Sequence, residues 1–351
     1  AAFLYAISPV AFAAINTGHI ATLVILIVAP FVALLLHDWW SIENYSWRKI
    51  FAISLLFSLL YAFTLMSFLI ALVASIVVAL DNFEQYSLHK DKDLFKQQLL
   101  KRTALVFVPF FANAPYSLEA VLHPSRFLSE PGLLIPGGGP LAVLLGNPGG
   151  SGSLPLWLVS PILLVLAVSL FSSTHARHIA EYGIGFLILA VLFGALSISS
   201  HGNESSTKVW AGPVLAIATL AAVSAGAVML DRLRETLVLS HIHYRHILSA
   251  LLLIITFTYA VLTIGYSVSA GANSLVQANR STVMPAFLSV EPDTKILVLR
   301  EVGSADDKKI QYYISRGDDI SLGEPDVAPE QNQVIAKAAR ELIGGSGISS
   351  S

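Results

Sequence analysis

Cysteine is missing from all 351 residues, and methionine occurs only three times. Without thiols the chain can form no disulfide, no thiolate metal site and no cysteine nucleophile, although this leaves its compartment open. Charge is scarce as well. Asp, Glu, Lys and Arg together make up 13% of the residues, against roughly 25% in ordinary soluble domains. The interiors of the long apolar runs hold no charged residue, which argues against an ion-coupled pump or a channel with a charged filter. The first residue is Ala1, and no charged stretch with a cleavage site follows it, so no signal peptide is assigned.

Apolar residues are abundant instead, at 55%, with a mean hydropathy of +0.69. Several runs exceed the ~18 apolar residues that justify a transmembrane helix. Residues 3–15 form an apolar opening interrupted by Pro9, and residues 20–36 form a span containing Pro30. Residues 50–80 run without a charge and read as one strongly tilted helix or as two tight halves. Residues 104–112 gain the length to cross if 97–102 begin the same helix. Residues 154–171, 183–199, 210–230 and 247–269 are four further spans. The expected fold is an all-α polytopic bundle of seven or eight spans, followed by the start of a small α+β soluble domain.

The lysine and arginine bias of short loops sets an expected orientation. The loop over 81–102 carries Lys90, Lys92, Lys96, Lys101 and Arg102, Arg177 follows the fifth span, and Arg232, Arg234 and Arg245 precede the last. With these in the cytoplasm, residues 113–153 and the tail from 271 lie outside a plasma membrane. Trp39, Trp40, Trp47, Trp157 and Trp210 fall near the predicted interfaces, where aromatic anchors belong.

Residues 113–153 stand apart. About a third of this stretch is proline or glycine, which rules out one continuous helix. It also keeps Leu118, Val121, Phe127, Leu133 and Leu141 among its apolar residues, too many for a disordered linker. The expectation is a structured external segment folded against the membrane face, between membrane helices over 1–112 and over 154–270.

The tail differs in kind. From Ser281 onward it holds eleven acidic and seven basic residues. Alternation over 295–301 and 309–315 predicts two strands joined by a longer loop over 302–308. Residues 329–342 have apolar positions at helical spacing. A hairpin and one helix are too small to be stable alone, so residues 281–351 are expected to begin an extracytoplasmic α+β domain, and the chain to be a segment of a longer protein.

Glu119, His123, Arg126 and Glu130 are the only acidic, basic or imidazole side chains of the external segment. On a helix over 116–128 the first three share one face. They read either as a polar site for an anionic or sugar substrate, with Glu119 or His123 as acid or base, or as the wet face of an interfacial helix. His241, His243 and His246 form a histidine cluster beside Arg232 and Arg234, suited to lipid phosphates more than to a metal. Asp318-Asp319 after Gly317 fits a turn. The glycine runs at 137–139 and 149–150 lack the lysine and strand–helix frame of a phosphate loop.

The stretch APYSLEAVLHPSRFLSEPGLLIPGG, with the approach to LPLWLVSPILLVLAVSLF, resembles the membrane region of large actinobacterial-type family 2 glycosyltransferases. The resemblance extends to SPVAFAAINTGHIATLVILIVAPF and SWRKIF upstream, and to KILVLRE, YYISRGDDISLGEPD and QVIAKAARELI downstream. It implies a role in assembling or moving lipid-linked cell-envelope glycans. The family's nucleotide-sugar domain, with its metal-binding acidic motif, is not in this sequence, so no catalytic residue, metal or cofactor is carried over. The implied partners are the lipid bilayer, a polyprenyl-linked glycan and an upstream catalytic domain; no nucleic acid is expected. Two other classes fit the same features: a lipid-glycan translocator or its accessory subunit, and an integral transferase that uses lipid-linked donors.

Overall fold

A computed structural model describes residues 2–36, 42, 44–89, 92–122, 124–130, 137–150, 153–199, 206–238, 244–274, 295–304 and 307–316. These fall into two compact units, one holding all of the helices and the other holding a β-hairpin.

The helical unit opens with α1 (Ala2–Ala6) and α2 (Pro9–Thr17). The Ser8 hydroxyl accepts the Ala11 N–H at 3.4 Å, and Pro9 takes the first helical position, where a missing N–H costs nothing. At the end of α2, Gly18 adopts φ 75° and its N–H returns to the last turn, so that α3 (Ile20–Leu35) starts two residues later. The charge-free run over 50–80 takes the second of its two expected forms. It divides at Thr64, which is extended (φ −155°, ψ 123°), into α4 (Trp47–Phe63) and α5 (Met66–His89).

The expected loop over 81–102 is largely helical: α5 runs to His89, and α6 (Lys92–Ala112) begins three residues later. Lys101 and Arg102 are therefore not groups on a solvated loop. Both are buried on α6, where the Lys101 Nζ donates to the Tyr45 carbonyl at 2.7 Å, beside a core of Ile42, Tyr45, Ile50, Ile53 and Leu105. The chain then bends by 97° into α7 (Tyr116–Leu122). At that bend Asn113 Nδ2 donates to the Ser58 carbonyl and hydroxyl on α4, both at 3.0 Å.

After a 3-10 turn (Pro124–Phe127) come α8 (Pro140–Leu144), α9 (Leu156–Val159), α10 (Pro161–Leu170), α11 (Thr174–Ala195), α12 (Gly212–Val238) and α13 (Tyr244–Ser274). The helix α12 is the axis of the unit and packs against α2, α3, α10 and α11. Its core face is built from small residues: Ala216, Ala218, Ala222 and Ala225 are buried, and a Cβ on Gly183 of α11 would press on Leu166 and Ala221. Small side chains let helix backbones approach closely where hydrophobic burial in lipid gives little drive. In contrast, Ile20, Ile27, Phe31 and Leu34 are exposed along α3.

Among the described residues, two helices are long and apolar enough to cross a membrane, Thr174–Ala195 and Gly212–Asp231. A third is added if the bent pair of α6 and α7 counts as one span, against the seven or eight crossings expected. Other apolar helices among the described residues, such as Ile20–Leu35 and Leu156–Leu170, fall in the 10–17 residue class, or about 15–25 Å at 1.5 Å per residue.

In the second unit, β3 (Lys295–Ser304) and β4 (Asp307–Arg316) pair antiparallel, from Lys295 opposite Arg316 to Ser304 opposite Asp307. Both expected strands are present, and the ladder continues through most of the stretch read as a longer loop. A further pair, β1 (Ser197–Ser199) and β2 (Ser206–Lys208), forms its own two-stranded sheet. The helix expected over 329–342, Asp318-Asp319 and residues 241–243 of the histidine cluster lie outside the described residues.

Candidate functional site: a buried carboxylate–imidazole cluster

The four expected site residues separate. Glu119 is on α7 and Arg126 on the 3-10 turn after it, because Pro124 cannot continue the helix. They still meet, with Arg126 Nη1 2.7 Å from Glu119 Oε2, but as a surface pair whose glutamate side chain is half exposed. His123 lies outside the described residues. Glu130 leaves the group altogether and is 6% exposed.

Glu130 is buried at the amino end of α3. Its Oε1 accepts the Thr22 hydroxyl at 2.6 Å, and its Oε2 lies 2.9 Å from His19 Nδ1. His19 is the N-cap position of α3 and Thr22 lies three residues on, so the carboxylate spans the first turn, where unpaired backbone N–H groups make the helix end positive. The local sequence produces this arrangement. Gly18 turns the chain sharply enough for α3 to begin at once, and the turn leaves a histidine and a threonine on one face of an otherwise apolar helix.

Trp210, just ahead of α12, completes the cluster. Its indole stacks on the His19 ring with centroids 3.8 Å apart and planes 15° from parallel. Its Nε1–H donates to the Thr22 Oγ1 at 3.0 Å. The tryptophan expected at a membrane interface is thus 4% exposed, whereas Trp157 is largely exposed. Two glycines make room for it. A Cβ on Gly212 would overlap Trp210 Nε1 and crowd the Thr22 hydroxyl, and a Cβ on Gly150 would overlap Thr17.

The described part of the Pro/Gly-rich segment, 137–150, reaches this site at Gly150. Gly137 and Gly149 form an antiparallel bridge, and Gly137 N–H donates to the Lys208 carbonyl at 3.1 Å. Asn147 Oδ1 accepts the Gly149 N–H and its Nδ2 donates to the Leu154 carbonyl, both at 2.9 Å. Chemically the cluster combines an acceptor carboxylate, a hydroxyl relay and an imidazole whose Nε2 is buried without a hydrogen-bond partner among the described residues. No group of three or more His, Asp or Glu converges as a metal site among those residues.

His19 and Thr22 were not singled out from the sequence, and Trp210 only as an interfacial anchor. The available signal was the polar TGHIAT stretch between two apolar runs. No protein-family model, curated protein or solved structure matches the chain.

Proposed function

We propose that the chain is the membrane-embedded portion of a cell-envelope glycosyltransferase. It anchors a sugar-transferase domain and holds a lipid-linked glycan at the rim made by residues 113–153, on the outer side of the plasma membrane. The observation that carries this reading is that the rim is built into the helical unit, through Glu130, which docks on the first turn of α3, and through the Gly137 N–H, which donates to the Lys208 carbonyl. A passive linker of that length needs no buried carboxylate. The half-exposed Glu119–Arg126 pair on the same rim offers both charge signs to a glycan headgroup. The resemblance to family 2 glycosyltransferases supplies the reaction class.

The test uses the full-length protein in proteoliposomes with a labelled nucleotide sugar and a short polyprenyl phosphate. A labelled lipid product is expected, and replacing residues 113–153 by a Gly/Ser linker of equal length should abolish it. Undiminished product from that variant refutes the role of the rim. A reading frame with no sugar-nucleotide domain upstream of Ala1 refutes the anchor.

The buried cluster favours a second reading, an integral transferase that takes its sugar from a lipid-phosphate donor at the rim itself. Carboxylate–imidazole pairs that share a proton with a third group are a recurrent acid–base device. Transfer from a labelled lipid-phosphate sugar without any nucleotide sugar distinguishes this reading from the first. Movement of the label across the bilayer without transfer would indicate translocation instead.

A further inference from the structure

We infer that His19 is a general base whose Nε2 accepts the proton of a glycan acceptor hydroxyl, with Glu130, Thr22 and Trp210 as positioning residues; this rests on the second reading above.

With Glu130 ionised and His19 neutral, the hydrogen in their 2.9 Å contact lies on His19 Nδ1 and the lone pair is left on Nε2. Orientation is fixed twice. The contact to Glu130 sets the rotation of the imidazole in its plane, and the Trp210 stack sets the plane itself. The indole is held in turn by its bond to Thr22 and by the absence of a side chain at Gly212. An imidazole clamped through Nδ1 with Nε2 unengaged is the arrangement that general-base histidines use. His19 is 5% exposed and Nε2 has no partner among the described residues. A buried polar atom left unpaired is costly, and a donor placed at Nε2 removes that cost.

The chemistry of the site selects the ligand. The carboxylate and the lone pair both repel an anion, which disfavours a phosphate at Nε2. A neutral hydroxyl presents the missing donor. Proton transfer to Nε2 then places a positive charge on the ring beside the Glu130 carboxylate, 2.9 Å from Nδ1. In the transfer step the acceptor O–H bond breaks as N–H forms at Nε2, and the oxygen forms its bond to the anomeric carbon of the lipid-phosphate sugar. The carbon–oxygen bond to phosphate breaks with its electron pair on the phosphate, which then takes the proton from the imidazolium.

The experiment is carbethoxylation of the full chain in lipid nanodiscs with diethyl pyrocarbonate, read at each histidine by peptide mass spectrometry. His178, whose side chain is 59% exposed, serves as the reactive control. His19 is expected to react more slowly than His178, and octyl β-glucoside should slow it further by about tenfold or more, equivalent to ~1.4 kcal/mol of site occupancy. Inorganic phosphate should have no effect. In Glu130→Gln the amide N–H donates to Nδ1, the ring hydrogen moves to Nε2, and His19 reactivity should be lost while His178 is unchanged. Nitrogen-15 shifts of histidine-labelled wild-type protein report the same tautomer directly if that variant fails to fold. An unreactive His19, reaction that the glucoside does not slow, protection by phosphate alone, or a hydrogen on Nε2 in the wild type would each overturn the assignment. None of these readouts needs turnover, so a protein that protects His19 but transfers no sugar refutes the reaction and leaves the hydroxyl site standing.

Discussion

Removing the Glu130 carboxylate should be among the most damaging single changes in the helical unit, and the structure gives the size. Glu130→Ala orphans two buried donors, the Thr22 hydroxyl and His19 Nδ1–H. At roughly 1–3 kcal/mol for each unpaired buried group, the loss is about 2–6 kcal/mol. This overlaps the ~3–5 kcal/mol expected for deleting one partner of a buried pair. His19→Ala leaves the carboxylate with Thr22 alone and falls in the same ~3–5 kcal/mol range. Because the two changes break one interaction, the double variant should lose less than the two singles combined, by ~1–3 kcal/mol. Glu119→Ala is the control. Its pair with Arg126 is half exposed, and solvent screening holds such pairs to ~0–1 kcal/mol. Equilibrium unfolding by SDS titration in mixed micelles, followed by circular dichroism, measures all four variants. Where Glu130→Ala does not fold, Glu130→Gln keeps an acceptor for Thr22 and brings the loss into range. A Glu130 variant as mild as Glu119→Ala, or strict additivity with His19→Ala, would refute the buried coupling.

Three other outcomes follow from the same packing. Gly150 has φ +88° and lies against Thr17 and Trp210, so Gly150→Ala should lose ~1–3 kcal/mol through backbone strain alone, read as a lower midpoint in the same titration. Gly212→Ala pushes a methyl group into Trp210 Nε1 and should displace the indole from His19, which a shift in tryptophan emission relative to a Trp210→Phe background would detect. Asn113→Ala removes the donor that ties the bend after α6 to Ser58 and should cost about 1–3 kcal/mol. A neutral Asn113 variant would show that α4 and α6 hold together by apolar contact alone.

The sequence carried the local architecture well because local rules determine it. Apolar runs became helices, the run over 50–80 broke where an extended Thr64 interrupts it, and alternation over 295–315 became a hairpin in register. Hydropathy counted seven or eight crossings from apolar content, whereas among the described residues two helices, or three with the bent pair, have both the length and the composition to cross. Charge counting erred at Lys101 and Arg102 because basic residues ahead of an apolar run read as loop cations, whereas both lie mid-way along α6 and Lys101 directs its ammonium to the Tyr45 carbonyl.

The site was harder to read because its partners are far apart in sequence. Glu130 meets His19 across 111 positions and Thr22 across 108, and Trp210 meets Thr22 across 188. Periodicity could place only Glu119, His123 and Arg126 on one face of a helix over 116–128, and it said nothing of Glu130 beyond that helix. Pro124 ends that helix, and the two glutamates take opposite fates. Glu119 remains at the surface with Arg126, while Glu130 reaches the positive end of α3, where two side-chain donors await it. A glutamate enters an apolar helical unit only where such donors have already been set out. Gly18 sets them out by starting α3 with His19 and Thr22 on one face, and Gly212 admits the indole that holds both in place. The Pro/Gly richness of residues 113–153 has the same origin: a helix could not carry Glu130 down to α3 and also fold Gly149 back onto Gly137.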